Sequence, residues 1–216
     1  MKLFEKQFGN WVIAVRRNLF MPANRSVPDV AQKRKDWNGL ISGFKASDLV
    51  FLDESGCNTD MTRRYAYSLG GSRAVDSAPL SKTKNTTILS SIQLDGTLHY
   101  TTFSGGTTVE KFKRYLETDL LPHLNGDSIL IMDNMKSHHA KAVKNLLDSS
   151  GIRYIYLPPY SPDLNPIEKL WSKVKALLRK FKARTLDALP NAIQNAFHSV
   201  TVSDCSGWFR FCGYSL

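Results

Sequence analysis

Hydrophobic and polar positions along the chain fall into short apolar runs, β-type segments and helical stripes. Leu49-Val50-Phe51-Leu52 is an unbroken apolar run that ends at Asp53, and Ile129 to Met132 repeats the pattern and ends at Asp133. Such runs predict short strands covered on both faces. Thr86 to Leu94 and Thr97 to Phe103 are rich in Thr and Ile and meet at Asp95-Gly96, which predicts a β-hairpin closed by a type I′ turn. Thr107 and Glu110 form a capping-box pattern ahead of a helix bearing Val109, Phe112, Leu116 and Leu120 on one face. A helix from about His139 to Leu147 is predicted to stop at Gly151, and a strand follows over Ile152 to Leu157. Pro158-Pro159-Tyr160-Ser161-Pro162 makes a stiff loop without helical freedom. Asn165 is expected to cap the next helix, with Pro166 at its first position. Ile167, Leu170, Trp171, Val174, Leu178 and Phe181 form that helix's apolar face.

The order is strand, hairpin, helix, strand, helix, strand, helix. A hairpin-first sheet continued by alternating α/β units predicts an α/β fold with a mixed sheet flanked by helices, the ribonuclease-H-like architecture. The main boundary falls near residue 46, dividing a basic N-terminal segment, residues 1–46, from the α/β unit, residues 47–216. In the first segment Ser26 is expected to cap a helix that carries Pro28 and Asp29 in its first turn and runs through Val30, Arg34 and Trp37 to a stop near Gly39. Residues 1–25 carry a mixed, basic pattern that predicts no particular element.

The longest apolar run, Trp11 to Val15, is five residues, too short for a membrane span or the core of a signal peptide. Three scattered cysteines, Cys57, Cys205 and Cys212, make no disulfide framework. Zinc at His198, Cys205 and Cys212 is disfavoured by the six-residue gaps. A reducing, cytoplasmic compartment is expected. The 216 residues carry 29 Lys and Arg against 19 Asp and Glu, a formal net charge of +10. The excess is concentrated: residues 1–47 hold nine basic and three acidic side chains, and Lys169 to Arg184 holds seven basic and none acidic. Concentrated positive charge attracts polyanions, with nucleic acid the first candidate.

Asp53, Asp133 and Glu168 are each delivered by a rigid element, two at the ends of buried strands and one in the first turn of a helix. Three such acids brought together would repel, so they require a cation. An all-oxygen set without paired thiolates selects Mg²⁺ or Mn²⁺. Two such ions about 4 Å apart suit in-line phosphoryl transfer. Alternatives stay open for each residue. Asp53 could open a turn at Ser55-Gly56, Asp133 could open one before a helix, and Glu168 could be the capping-box partner of Asn165. Glu54 rivals Asp53 and Asp163 rivals Glu168. His138 and His139 could contact substrate or order their loop, and Trp171 and Trp208 read as core.

The segments DLVFLDESG, ILIMDNMKSHHA and YLPPYSPDLNPIEKLWSKVK resemble the three signature blocks of mariner-type DDE transposases, particularly their bacterial insertion-sequence branch. The 34 residues between Asp133 and Glu168 match the interval typical of DDE members, and the resemblance extends from about residue 26 to the FCGY of residues 211–214. It implies that Asp53, Asp133 and Glu168 form a catalytic and metal-binding triad. The implied chemistry is metal-dependent phosphodiester hydrolysis at transposon ends, followed by 3′-hydroxyl strand transfer into target DNA at a TA-containing site. The resemblance also implies assembly as a dimer or higher oligomer on paired ends. Relatives of this kind carry two helix-turn-helix units before the catalytic domain, whereas only about 46 residues precede it here. The expectation is therefore a truncated or frameshifted copy, with end recognition supplied by a separate N-terminal helix-turn-helix chain. Lys175 and Arg179 return to nearly the angular position of Glu168. With Lys173 and Lys180 they are the expected phosphate contacts. Two other functions suit the same residues: a ribonuclease-H-like nuclease without strand transfer, and an inactive DNA-binding remnant of a decayed element. An enzyme of this class in a bacterium would be nucleoid-associated.

Overall fold

The computed structural model describes residues 27–63, 68, 70, 72–79 and 85–214, together with the backbone of two short strands. Those strands, β1 (Glu5–Phe8) and β2 (Trp11–Ala14), pair antiparallel with each other. The main sheet has five: β3 (Leu49–Cys57), β4 (Thr86–Ile92), β5 (Leu98–Ser104), β6 (Ile129–Met132) and β7 (Arg153–Tyr156). Their order is β5-β4-β3-β6-β7. β3–β4 and β4–β5 are antiparallel, whereas β3–β6 and β6–β7 are parallel. The two apolar runs are therefore neighbours at the centre of the mixed sheet.

Alternation of side chains across the strands builds two cores. On one face Phe51, Ile88, Ile129 and Ile131 meet helices α1 (Pro28–Ile41), α4 (Ile167–Phe181), α5 (Leu189–His198) and α6 (Val202–Phe211). On the other, Val50, Leu52, Leu89, Leu130 and Met132 meet α2 (Val109–Tyr115) and α3 (Lys141–Ser150). α2 runs on through a π-helical turn over Leu116–Leu120, which keeps Leu116 and Leu120 buried. α4 places Ile167, Leu170, Trp171, Val174 and Leu178 in the core, but Phe181, at its last turn, is exposed.

Several local expectations are corrected. The β4–β5 hairpin has a three-residue loop, Leu94 to Gly96. The N–H of Gly96 donates to the carbonyl of Gln93 at 3.2 Å and the N–H of Gln93 to that of Thr97 at 3.1 Å. In this loop only Gly96 has positive φ, +89°, so the connection is a type I turn followed by a glycine bulge. The N-cap of α2 is Thr108, whose hydroxyl accepts from the N–H of Lys111, one residue beyond the expected Thr107. α1 ends at Ile41, past Gly39, and its N-cap position is Val27; Ser26 lies outside the described residues. α3 stops at Gly151 with φ +73°, a left-handed cap that glycine adopts without steric cost.

Asn165 does not cap α4 with its side chain. The N-cap position is Pro166, and Asn165 instead accepts the N–H of Glu168 on its backbone carbonyl at 3.2 Å. The N–H of Asn165 donates to Pro162 at 3.2 Å, so the reciprocal bond that a capping box requires of Glu168 is absent. β3 runs through Ser55 and Gly56 to Cys57, so Asp53 opens no turn there.

Candidate active site

The parallel pairing of β3 with β6 sets Leu52 opposite Met132, and the next residue on each strand is an aspartate. Asp53 continues the parity of Phe51, and Asp133 that of Ile129 and Ile131, so both belong to the side of the sheet covered by α4. The proline loop after β7 carries the chain across this edge, and the first turn of α4 delivers Glu168. Asp53, Asp133 and Glu168 line one cleft of about 460 Å³ together with Pro159, Tyr160 and Asn165. The rivals lie elsewhere. Glu54 points to the opposite face, and Asp163 has both carboxylate oxygens on the guanidinium of Arg34, at 3.2 and 2.7 Å. Arg34 also donates to the hydroxyl of Ser161, so α1 grips the proline loop at two points. Tyr160 within that loop has φ +54° and a half-exposed ring.

Each of the two aspartates accepts hydrogen bonds from the fold around it. Asp53, 8% exposed, accepts the N–H of Glu54 on Oδ1 at 2.8 Å and the indole N–H of Trp171 on Oδ2 at 3.1 Å. Trp171 is core, as expected, and in addition a hydrogen-bond donor to the site. Asp133 accepts the N–H of Met135 at 2.9 Å, the turn-forming bond that its other reading anticipated. Its Oδ1 also lies 2.9 Å from Nδ1 of His138. His138 is fully buried, stacks on Phe112 at 4.2 Å between centroids, and presents Nε2 to Glu54 at 3.1 Å. His139 is exposed and stacks on Tyr156.

Burial raises the Asp53 carboxyl to about 7, and the charges of Glu168, Glu54 and Asp133 push the same way against the bond from the Glu54 N–H. Burial, together with the charge of Asp133, also raises Glu168, opposed by Lys175 and Lys169. At Asp133 burial is outweighed by the bonds from His138 and the Met135 N–H, and its carboxyl sits below the ordinary value. Burial alone would lower His138, but its bonds to Asp133 and Glu54 raise it to about 9.

A cleft whose acids raise one another's proton affinity is chemically matched to a divalent cation, which would replace the proton that Asp53 otherwise retains. The amide oxygen of Asn165, on the same cleft, is buried without a hydrogen-bond partner and adds a further oxygen donor. As placed, no three His, Cys, Asp or Glu side chains among the described residues stand close enough together to hold one ion. The donor chemistry fits; the carboxylates line the cleft without closing on a single point.

The basic side chains of α4 divide. Lys173 is committed to Asp204 at 2.5 Å and to the carbonyl of Ser199 at 2.8 Å, tying α4 to α6. Lys175 lies near enough to Glu168 to lower its proton affinity. Arg179 and Lys180 occupy the last turn of the helix, where cations also favour the helix dipole. Cys57, Cys205 and Cys212 are buried free thiols and His198 is exposed. No helix among the described residues is long and apolar enough to cross a membrane.

A five-stranded mixed sheet with helices on both faces carries carboxylates where its two central strands stop pairing, an arrangement suited to a nuclease-type catalytic domain. The chain belongs to the DDE superfamily endonucleases, whose family model matches residues 48–190. It is 27% identical over 97 residues to the Transposable element Tc1 transposase of Caenorhabditis elegans, a match covering 43% of this chain and 36% of that protein. Its fold is similar to that of the Mos1 transposase paired-end complex with left transposon end, with a TM-score of 0.75 and 17% identity over 91% of this chain and 62% of that one. The catalytic domain of Mos1 mariner transposase superposes with a TM-score of 0.63 and 16% identity, covering 88% of this chain and 91% of that one. The expected ribonuclease-H-like architecture is thus the observed one. The chain spans less than two thirds of the full-length relatives it matches.

Proposed function

We propose that this chain is the catalytic part of a DNA transposase that hydrolyses phosphodiesters at transposon ends and joins the freed 3′-hydroxyl to target DNA. The observation that carries the reading is the arrival of Asp53, Asp133 and Glu168, from the middle of one central strand, the end of its neighbour and one helix start, on a single cleft. These three would hold Mg²⁺ or Mn²⁺, two ions in all. When bound, the ions supply charge stabilisation to the attacking and leaving oxygens of an in-line displacement. The chain's own residues then position and shield. Trp171 and His138 fix the two aspartates, Arg34 holds the proline loop, and Lys175 with Arg179 and Lys180 offers phosphate contacts along α4. No Ser or Tyr nucleophile is required.

The motif residues of the three blocks support placement in the bacterial insertion-sequence branch, acting on DNA in the cytoplasm at the nucleoid. We further read residues 47–216 as the catalytic unit and residues 1–46 as its lead-in. Helix-turn-helix units would recognise the ends, and a homodimer or higher assembly would form on paired ends. The Mos1 structure described as a paired-end complex with left transposon end supports action on paired ends.

The test is a cleavage and joining assay on labelled duplex bearing the element's terminal repeats, with an N-terminal DNA-binding chain supplied. Mg²⁺ or Mn²⁺ should give nicks and then joined products, and EDTA should abolish both. Asp53→Ala, Asp133→Ala and Glu168→Ala should each remove activity from a folded chain. Nicking without joining would support a nuclease instead, and neither reaction in any metal would support a silent DNA-binding remnant.

A further inference from the structure

We propose that Glu54 and His138 act as a positioning pair that determines which oxygen of Asp133 faces the cleft. The inference rests on reading Asp133 as an ion ligand. Oδ1 of Asp133 accepts the N–H of Met135 at 2.9 Å and lies 2.9 Å from Nδ1 of His138, which also reaches the backbone carbonyl of Asp133 at 3.3 Å. An oxygen facing both groups has its lone-pair directions occupied. Among the described residues no hydrogen bond reaches Oδ2, which is left for a cation. The His138 ring is fixed in turn. Its Nε2 meets Oε1 of Glu54, its face lies on Phe112, and its backbone carbonyl accepts the hydroxyl of Tyr156 at 3.0 Å.

Stability does not account for the pair. The side chains of His138 and Glu54 are 0% and 5% exposed, and Oε2 of Glu54 is buried with no hydrogen-bond partner. Burying such groups carries a desolvation penalty that apolar residues of similar volume avoid. The arrangement instead matches the way carboxylates behind metal-ligating groups set ligand orientation. Glu54 can reach His138 because it follows Asp53 on the opposite face of β3, so one strand supplies both a cleft acid and the anchor beneath its neighbour's acid.

The experiment is a Mn²⁺ titration of the full chain, followed by the electron paramagnetic resonance signal of free Mn²⁺, on wild type, His138→Ala, Glu54→Leu and Glu54→Gln. Thermal melts in EDTA run in parallel. Outer positioning groups of this kind typically change metal affinity by about 10- to 100-fold. His138→Ala and Glu54→Leu should fall in that range, and Glu54→Gln, which retains an acceptor without its charge, should fall between them and wild type. A structural role alone would lower melting temperatures and leave Mn²⁺ affinity unchanged. If His138→Ala fails to melt cooperatively, Glu54→Leu decides, because leucine fills the space. Wild-type affinity in a folded Glu54→Leu chain overturns the proposal. Asp133→Asn separates the two levels. If it weakens Mn²⁺ binding while the Glu54 and His138 variants do not, only the positioning role falls. If wild type binds no Mn²⁺, or Asp133→Asn has no effect, the metal-ligand reading falls with it.

Discussion

The indole N–H of Trp171 donates to Oδ2 of Asp53 at 3.1 Å, joining the second turn of α4 to the middle of β3 across 118 residues of sequence. The same helix carries Glu168 one turn earlier, so this bond helps to set the distance between two of the cleft acids. Trp171→Phe keeps most of the buried ring and deletes the donor. The expected loss of stability is about 1–3 kcal/mol, from a buried acceptor left with one fewer partner and a small cavity. Urea unfolding in EDTA measures it, and strand cleavage should fall by more than unfolding of the enzyme explains.

Glu168 makes no capping bond to Asn165, whose N–H is used by Pro162. Glu168→Gln should therefore melt within about 0.5 kcal/mol of wild type, the range of ordinary surface changes, while Mn²⁺ binding and cleavage collapse. Glu168→Asp keeps the charge but withdraws it by one methylene, and should retain partial activity, better in Mn²⁺ than in Mg²⁺. A fully active Gln variant would end the three-carboxylate mechanism.

The cations of α4 should separate in a salt titration of nonspecific DNA binding. Lys175→Ala, Arg179→Ala and Lys180→Ala should each reduce the slope of log affinity against log salt by roughly 0.9. Lys173 already serves Asp204 and Ser199. Lys173→Ala should leave the slope nearly unchanged and lower stability by up to about 1 kcal/mol, the range for a partly exposed ion pair.

Arg34 and Asp163 form a fork-to-fork pair between α1 and the proline loop. Arg34→Ala and Asp163→Asn should each cost about 1 kcal/mol, discounted because the aspartate is partly solvated. The double variant should cost less than the sum, a coupling that a thermodynamic cycle reads directly. Cleavage should fall in all three, because the loop that leads into Glu168 loses its anchor.

Without metal, the chain should lose stability as pH rises through the neutral and mildly alkaline range. His138 is raised from its ordinary 6.5 to about 9, so its contribution is complete below 6.5 and lost as pH rises through 9. Asp53 is raised from 3.8 to about 7, so the folded chain retains a proton there that the unfolded chain releases, and stability falls between those values. Both slopes have the same sign. Denaturation curves in EDTA from pH 5 to 9 check it, and added Mn²⁺ should flatten the part due to Asp53.

What the sequence disclosed follows from range. Leu49 to Leu52 and Ile129 to Met132 were legible as central strands because burial on both faces leaves an unbroken apolar run, and the acids ending them were visible for the same reason. The hairpin was legible but its loop was not, since Asp95-Gly96 suits both a two-residue turn and the last two positions of the bulged loop. The cap of α2 slipped from Thr107 to Thr108 because both residues can accept the same bond. The supports of the cleft were hidden by distance along the chain. His138 meets Glu54 84 residues away, and Arg34 meets Asp163 129 residues away. Trp171 carried an apolar signal at helical spacing, and only the fold turns its N–H toward Asp53. His138 left a trace in its five-residue offset from Asp133, but nothing local named its second partner.

Asp53 and Glu54 are consecutive, yet alternation along β3 sends one to the cleft and the other beneath it. The strand should accordingly accept exchange among apolar side chains of similar size at Val50, Phe51 and Leu52, since the packing on each face is all that such changes disturb. It should not accept a change of length. One residue inserted or deleted ahead of Asp53 would turn the two acids onto each other's faces and leave composition almost untouched. Among natural variants of this chain, substitutions are expected to accumulate in this segment while insertions and deletions are absent from it.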